Sequence, residues 1–269
     1  MEIRREICRN INILKMSEAN KNILPTAVLG TILFGIIYIV LFTNDVYSEG
    51  IIKMVEIKNN RLLSAEDYLA FTNINNSVMI EEIPLPIIKT RFAKHPYIKT
   101  TDVLRSGSEK VEINITEKNI AALILKDGNS FFITDEFQIL SVLTNTQLLA
   151  FPVITNLKDE KKIIPGTIYR TDEIVEAFKI IEAARLTNEN IASKLSEINF
   201  RNGGDIILRF SGIDCPVIFG RNEEAKKMVY LDIMWNEMHD SKKIFIESNY
   251  IDLRFSNDIY VAKSMGNVE

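Results

Sequence analysis

Residues 23–42 read ILPTAVLGTILFGIIYIVLF, twenty residues without a charge. At about 1.5 Å per residue, a helix over this run is roughly 30 Å long, the thickness of a bilayer's hydrocarbon core. No other stretch of the chain approaches it. The run divides the sequence into a short tail (1–22), one membrane span (23–42) and a large water-facing part. The tail has five basic against three acidic side chains, +2 net, and the remainder has 27 against 33, −6 net. Lys and Arg stay on the cytoplasmic side of a span. This predicts a cytoplasmic tail and an exported region from residue 43 onward, in the single-pass type II sense. A cleaved signal peptide is the alternative, but its apolar core runs only about 7–15 residues and ends at an Ala-x-Ala-like site. Val46-Tyr47-Ser48 is a poor such site. Pro25 falls in the first turn, where a missing N–H costs little. Ala27, Thr31 and Gly35 recur every four residues and offer a small-residue face for transmembrane packing, against the plainer reading of ordinary small-residue usage in a membrane helix.

The exported part is long enough for one or two domains. Charged residues make up 25% of the chain and apolar ones 46%, which fits a folded region and argues against a disordered stalk. A mildly acidic balance with no basic block argues against nucleic acid. Cys8 and Cys215 fall on opposite sides of the predicted span and cannot bridge within one chain, so the fold relies on its core. Cys215, between Asp214 and Pro216, reads as a small buried hydrophobe.

Local patterns give the element order. Residues 51–58, IIKMVEIK, alternate as a strand. Ser64-Ala-Glu-Asp67 resembles a capping box leading into Tyr68, Leu69 and Phe71, and a polar turn follows at Asn73 to Ser77. Pro84 and Pro86 open a second helix that stops before Pro96. Tyr97 to Leu104 and Lys110 to Thr116 are strands around Ser106-Gly107-Ser108, and Val111, Ile113 and Ile115 alternate with polar residues. The first 70 residues or so of the exported part therefore run strand, helix, helix, strand, strand. Beyond about Ile120, Asp127-Gly128 marks a hairpin between Ala121–Leu125 and Phe131–Thr134. Gln138 to Leu143 and Phe151 to Ile154 are further short strands. Thr171 caps a helix with Ile174, Phe178 and Ile181 on one face. Asn202-Gly203-Gly204 turns a second hairpin, Val217 to Gly220 is a strand, and Asn222 caps a helix carrying Met228, Leu231, Trp235 and Met238. Ile244 to Ile246, Tyr250 to Phe255 and Ile259 to Ala262 close the chain. The expected class is α+β, with one transmembrane helix, a strand–helix–helix–strand–strand domain over 51–118 and a β domain over 119–263 built on an antiparallel sheet with helices.

Reactive constellations are absent from the sequence. His239-Asp240-Ser241 has the letters of a hydrolase triad, but consecutive residues do not face one another. There is no G-x-S-x-G, H-E-x-x-H, phosphate loop or C-x-x-C motif. Asp127, Asp135 and Glu136 read as turn and solvated positions. No catalytic residue, metal ligand, cofactor or small-molecule substrate is expected, and the chain reads as a binding protein rather than an enzyme.

The closing strands carry a family resemblance. Tyr250-Ile-Asp-Leu-Arg254-Phe255 followed by Asn257-Asp-Ile259-Tyr-Val261 resembles the C-terminal signature of the bacterial cell-division family FtsQ/DivIB. Arg91 to Val103, with His95-Pro96-Tyr97, is similar to that family's helix-to-strand passage. Val111 to Ala121 resembles its strand and domain junction, and Phe151-Pro152-Val153-Ile154 its short Leu-Pro-x-Ile element. Departures fall at Arg105-Ser-Gly-Ser, at Ile120 in place of a proline, and after Asp135, where a glycine is missing. The resemblance implies a POTRA domain followed by a β domain. It also implies a non-enzymatic scaffold of the inner membrane at the division septum, with its C-terminal domain in the periplasm, linking early and late divisome proteins and binding FtsB and FtsL.

The mechanism expected from that resemblance is strand addition at the last edge strand, where unpaired N–H and C=O groups recruit a strand of another chain. Carried onto this sequence, the partner-binding positions are Arg254, Phe255 and Asn257, with Ile259 and Val261 as strand neighbours. Against this stands the plainer reading that Leu253, Phe255 and Val261 are core residues and Arg254 a surface ion pair. Rival functions are another POTRA-containing membrane protein of envelope transport and a membrane-tethered envelope enzyme. The sequons Asn75-Asn-Ser77 and Asn114-Ile-Thr116 also leave open a eukaryotic type II protein.

Overall fold

A computed structural model of the chain describes residues 23–42, 54–74, 83–107, 109–147, 150–237, 248–255 and 258–263. Expectations for the tail, Val46 to Ser48, residues 51–53, 75–77 and 244–246, Ser108, Met238, His239 to Ser241 and Asn257 lie outside these residues. The chain divides into two compact units, 1–50 and 51–269.

The first unit contributes helix α1, Ile23–Phe42, over the whole apolar run, with no charge in its first or last turn. Among the described residues, which give side chains only for 29–38 of α1, no helix is long and apolar enough to cross a membrane.

The second unit opens in the expected order. Strand β1 (Met54–Lys58) leads to α2 (Ala65–Thr72), α3 (Leu85–Ala93), β2 (Ile98–Ser106) and β3 (Lys110–Glu117). The sheet order is β1-β3-β2, with β1 parallel and β2 antiparallel to β3. The Ser64 hydroxyl caps α2 by accepting the Asp67 N–H at 3.1 Å, and Asn73 ends the helix in the left-handed region. Pro86 sits in the first turn of α3, where no N–H is needed.

The rest builds one nine-stranded sheet. Its strands are β4 (Ile120–Lys126), β5 (Asn129–Thr134), β6 (Ile139–Ser141), β7 (Val153–Thr155), β8 (Leu195–Asn199), β9 (Ile207–Phe210), β10 (Val217–Ile218), β11 (Ser248–Asp252) and β12 (Tyr260–Lys263). They run in the order β12-β11-β10-β9-β8-β7-β4-β5-β6. The sheet is mixed rather than antiparallel. The β4–β7, β7–β8 and β10–β11 pairs are parallel, and the hairpins between them are antiparallel. Parallel neighbours need a crossover. Helices α4 (Asp172–Thr187) and α5 (Glu189–Lys194) lie between β7 and β8 in the chain, and α6 (Glu224–Glu237) lies between β10 and β11. The Thr171 hydroxyl caps α4 as expected. Helix α6 starts at Glu224, because Asn222 and its neighbour Glu223 both take left-handed φ values.

One core lies under α4 and α6, formed by residues such as Ile154, Ile198, Leu208, Val217 and Ile251 from the sheet. A second, under α2 and α3, draws in Ile120, Phe132 and Leu140 from the larger sheet. The junction at 118–119 is therefore packed. The fully buried Tyr97 lays its hydroxyl 2.9 Å from the Ser141 carbonyl and accepts the Leu143 N–H at 2.8 Å. Edge-to-face contacts run from Phe71 through His95, Tyr97 and Phe132 to Phe151. Glu117 accepts the N–H groups of Arg61 and Leu62, both at 2.9 Å, and the Tyr68 hydroxyl.

Candidate partner-binding edge

A sheet has two edges, and each leaves a row of backbone groups to be satisfied. The β6 edge is covered by the chain itself. Ile139 N–H donates to the Thr167 carbonyl at 2.9 Å, Gly166 N–H to the Ile139 carbonyl at 2.8 Å, and Tyr169 N–H to the Phe137 carbonyl at 2.8 Å. The other edge is β12, and among the described residues nothing pairs with its outer side.

The register decides which groups are free. Ile251 and Leu253 donate their N–H groups to Pro216 and Ile218, so these residues turn their backbone toward β10. Tyr250 and Asp252 then face β12, where their partners are Ala262 and Tyr260. By strand alternation the N–H and C=O of Val261 point away from the sheet, and Ile259 lies one residue before the strand. The side chains of Ile259 and Val261 are half-buried and pack against the core. The opposite face carries exposed aromatics. Phe255 is 50% and Tyr260 52% exposed, with ring centroids 4.8 Å apart at 63°, and Tyr250 lies beside them on β11.

Arg254 is held within the chain. Its Nε donates to both Asp252 oxygens at 3.0 and 3.1 Å, its Nη2 to Asp252 at 2.6 Å and its Nη1 to Asp205 at 2.8 Å. Its backbone N–H also caps Asp252. Asp252 is only 4% exposed, and the Arg254 guanidinium holds its carboxyl below the usual range. A Cβ on Gly220, where φ is +65°, would lie 2.8 Å from Arg254 Cγ, so the arginine stem lies against a backbone position open only to glycine. The arginine thus ties the end of β11 to the segments before β9 and after β10. The Arg254 side chain remains 43% exposed. Asp205, Asp252, Gly220 and Tyr260 complete this corner. The Asp252-x-Arg254 spacing is the one sequence signal for it, because Asp205 and Gly220 are distant in the chain.

The structure brings Arg254, Phe255, Ile259 and Val261 to one end of the sheet, while Asn257 lies outside the described residues. Of the small-residue face, Thr31 is exposed, Gly35 half-buried and the Ala27 side chain outside the described residues. Among the described residues no group of three or more His, Cys, Asp and Glu side chains could hold a metal. Cys215 is buried, which pushes its thiol up. Asp127 turns the β4–β5 hairpin, Asp135 pairs with Asn119 and Glu136 with Lys99. His95 is buried, its Nδ1 accepting the Tyr97 N–H, and burial lowers its pKa to about 4.

The family model described as "Cell division protein FtsQ/DivIB, C-terminal" matches residues 115–254, more than half of the chain. The chain is 23% identical over 228 residues to Cell division protein FtsQ of Syntrophotalea carbinolica, covering 84% of this chain and 77% of that protein. It is 22% identical over 176 residues to Cell division protein DivIB of Clostridium tetani, covering 65% and 66%. The chain belongs to the FtsQ/DivIB family, a family of non-enzymatic cell-division proteins.

Proposed function

We propose that this FtsQ/DivIB family member is a divisome scaffold of the inner membrane that captures a strand of an FtsB- or FtsL-type partner on β12, on the periplasmic side. In this reading α1 is the single span, residues 1–22 are cytoplasmic, the unit carrying both sheets is periplasmic, and the β1–β3 region is a POTRA domain. The observation that carries the proposal is the outward-facing backbone of Val261 at an edge with no partner among the described residues, at the opposite end of the sheet from an edge the chain covers. Main-chain bonds along that edge supply affinity, and the Phe255–Tyr260 pair supplies an apolar anchor beside it. Arg254 acts by holding the corner that presents these groups. Its remaining exposed surface faces an acidic partner.

The test is Val261→Pro in a fluorescent fusion with a periplasm-competent tag, made in cells depleted of the native protein. Proline deletes the N–H turned away from β11 and leaves the β11–β12 ladder bonds in place. Wild type should form a mid-cell band, rescue filamentous cells and retain an FtsB-type protein in pull-down. Val261→Pro should lose the partner while remaining folded, its melting temperature falling only by the few degrees that the trimmed half-buried contact costs. An even membrane halo for the wild type, or full partner retention by Val261→Pro, would overturn the proposal.

A further inference from the structure

Helix α4 carries a stripe that is complementary to itself. An open groove of about 450 Å³ runs along it, lined on the α4 side by Val175, Phe178, Lys179, Glu182, Ala183 and Leu186. Leu186 is 79% exposed, an apolar side chain with almost no cover, and Lys179 and Glu182 are exposed. Among the described residues neither Lys179 nor Glu182 makes a direct ion pair, although Lys179 lies in the field of Glu176 and shares the groove with Glu224. The six positions form three pairs about a point between Ile180 and Ile181: Val175 with Leu186, Phe178 with Ala183, and Lys179 with Glu182. In an antiparallel pairing of two α4 helices about a two-fold axis at that point, each position meets its counterpart. Apolar side chains then meet apolar ones, and the partner's Glu182 stands opposite Lys179 on both sides of the axis.

We infer that this groove is a self-association surface whose occupant is α4 of a second copy of this chain. The self-complementary charge pattern selects that occupant, since an unrelated helix would have to reproduce both the order and the signs. Phe178 is anchored from below by stacking on Phe137 at 5.0 Å, which holds the stripe rigid for docking. The surface lies on a helix face and not on the β12 edge, so the inference is independent of strand capture.

The test uses the full chain in detergent micelles, with sedimentation equilibrium over a range of concentrations. Wild type should show a concentration-dependent dimer. Lys179→Glu and Glu182→Lys each place like charges opposite one another twice per dimer and should weaken association roughly tenfold or more. An equimolar mixture of the two variants restores opposite charges in both pairs and should recover the dimer, a rescue in trans that no intrachain effect produces. Leu186→Asp should also be monomeric, and its exposed position keeps it folded should either charge variant misfold. The inference is overturned by a wild type that stays monomeric throughout, by a dimer indifferent to all three variants (association through α1 or another face), or by a mixture that fails to recover.

Discussion

Replacing Tyr97 by Phe removes one oxygen atom from the junction between the two sheets and leaves the ring in place. That oxygen accepts the Leu143 N–H at 2.8 Å and lies 2.9 Å from the Ser141 carbonyl and 3.0 Å from Thr146 Oγ1. Thr146 spends its own proton on the Leu143 carbonyl at 2.6 Å. The single Tyr97 hydroxyl proton is thus shared between Ser141 and Thr146, and the Leu143 N–H has no other acceptor among the described residues. Phenylalanine fills nearly the same volume, so the cost comes from stranded polar groups and not from a cavity. A buried donor left unpaired costs about 1–3 kcal/mol, and about 2 kcal/mol is expected. For a unit of this size that is a fall of roughly 4–8 °C in melting temperature. The assay is thermal unfolding followed by far-ultraviolet circular dichroism and by aromatic absorbance. The two traces should separate in the variant, because Tyr97 is a bond between the sheets and not within either. A shift below about 1 °C with coincident traces would refute the assignment of Tyr97 as the junction bond.

His95 is kept neutral by burial, with a folded pKa of about 4 against 6.5 in the open chain. The unfolded chain binds the extra proton between those values, so stability is full above pH 6.5 and falls by up to about 3 kcal/mol toward pH 4. His95→Asn should flatten that window in pH-dependent melts. Arg254→Ala should lower the melting temperature at pH 7 by exposing Asp252 as an unpaired buried carboxylate. The depressed Asp252 pKa makes this stabilisation full above the ordinary aspartate range and lost as pH falls through the lower folded value, so variant and wild type should begin to converge only below about pH 4. Phe255→Ala, at an exposed ring, should leave the melt within about 1 °C of wild type while weakening partner capture. Gly220→Ala should reproduce the Arg254→Ala melt, since its Cβ takes the space of the arginine stem at a left-handed φ.

What was legible in the sequence was local. Ser64 and Thr171 declare helix starts because the capping hydroxyl and the N–H it satisfies are three residues apart, and Asp127-Gly128 declares a hairpin because the turn needs positive φ. The strand–helix–helix–strand–strand order follows from such signals. The parallel pairing of β4 with β7 and of β7 with β8 was not legible. The β7–β8 pairing depends on a crossover through α4 and α5, and the β4–β7 pairing on the return of the chain past β5 and β6, and nothing local distinguishes Val153–Thr155 from a hairpin strand. Asn222 looked like a cap because asparagine suits both a cap and a left-handed turn, and the fold uses the second property. The sequence leaves Arg254 between a partner-facing charge and a surface ion pair, because Asp205, its second partner, is 49 residues away. The Asp252 beside it was visible, but its burial was not.

The covered β6 edge fixes how many strands this sheet can accept. A sheet open at both ends is a monomer unit for a fibre, since each copy can dock onto the next. Here Gly166 to Tyr169 close one end, so among the described residues the sheet has a valence of one. The open end is short, with β12 only four residues long. On the proposed reading, a partner strand would find one docking edge on this sheet and no second one. The cap on β6 would then make strand capture a terminating event instead of a propagating one.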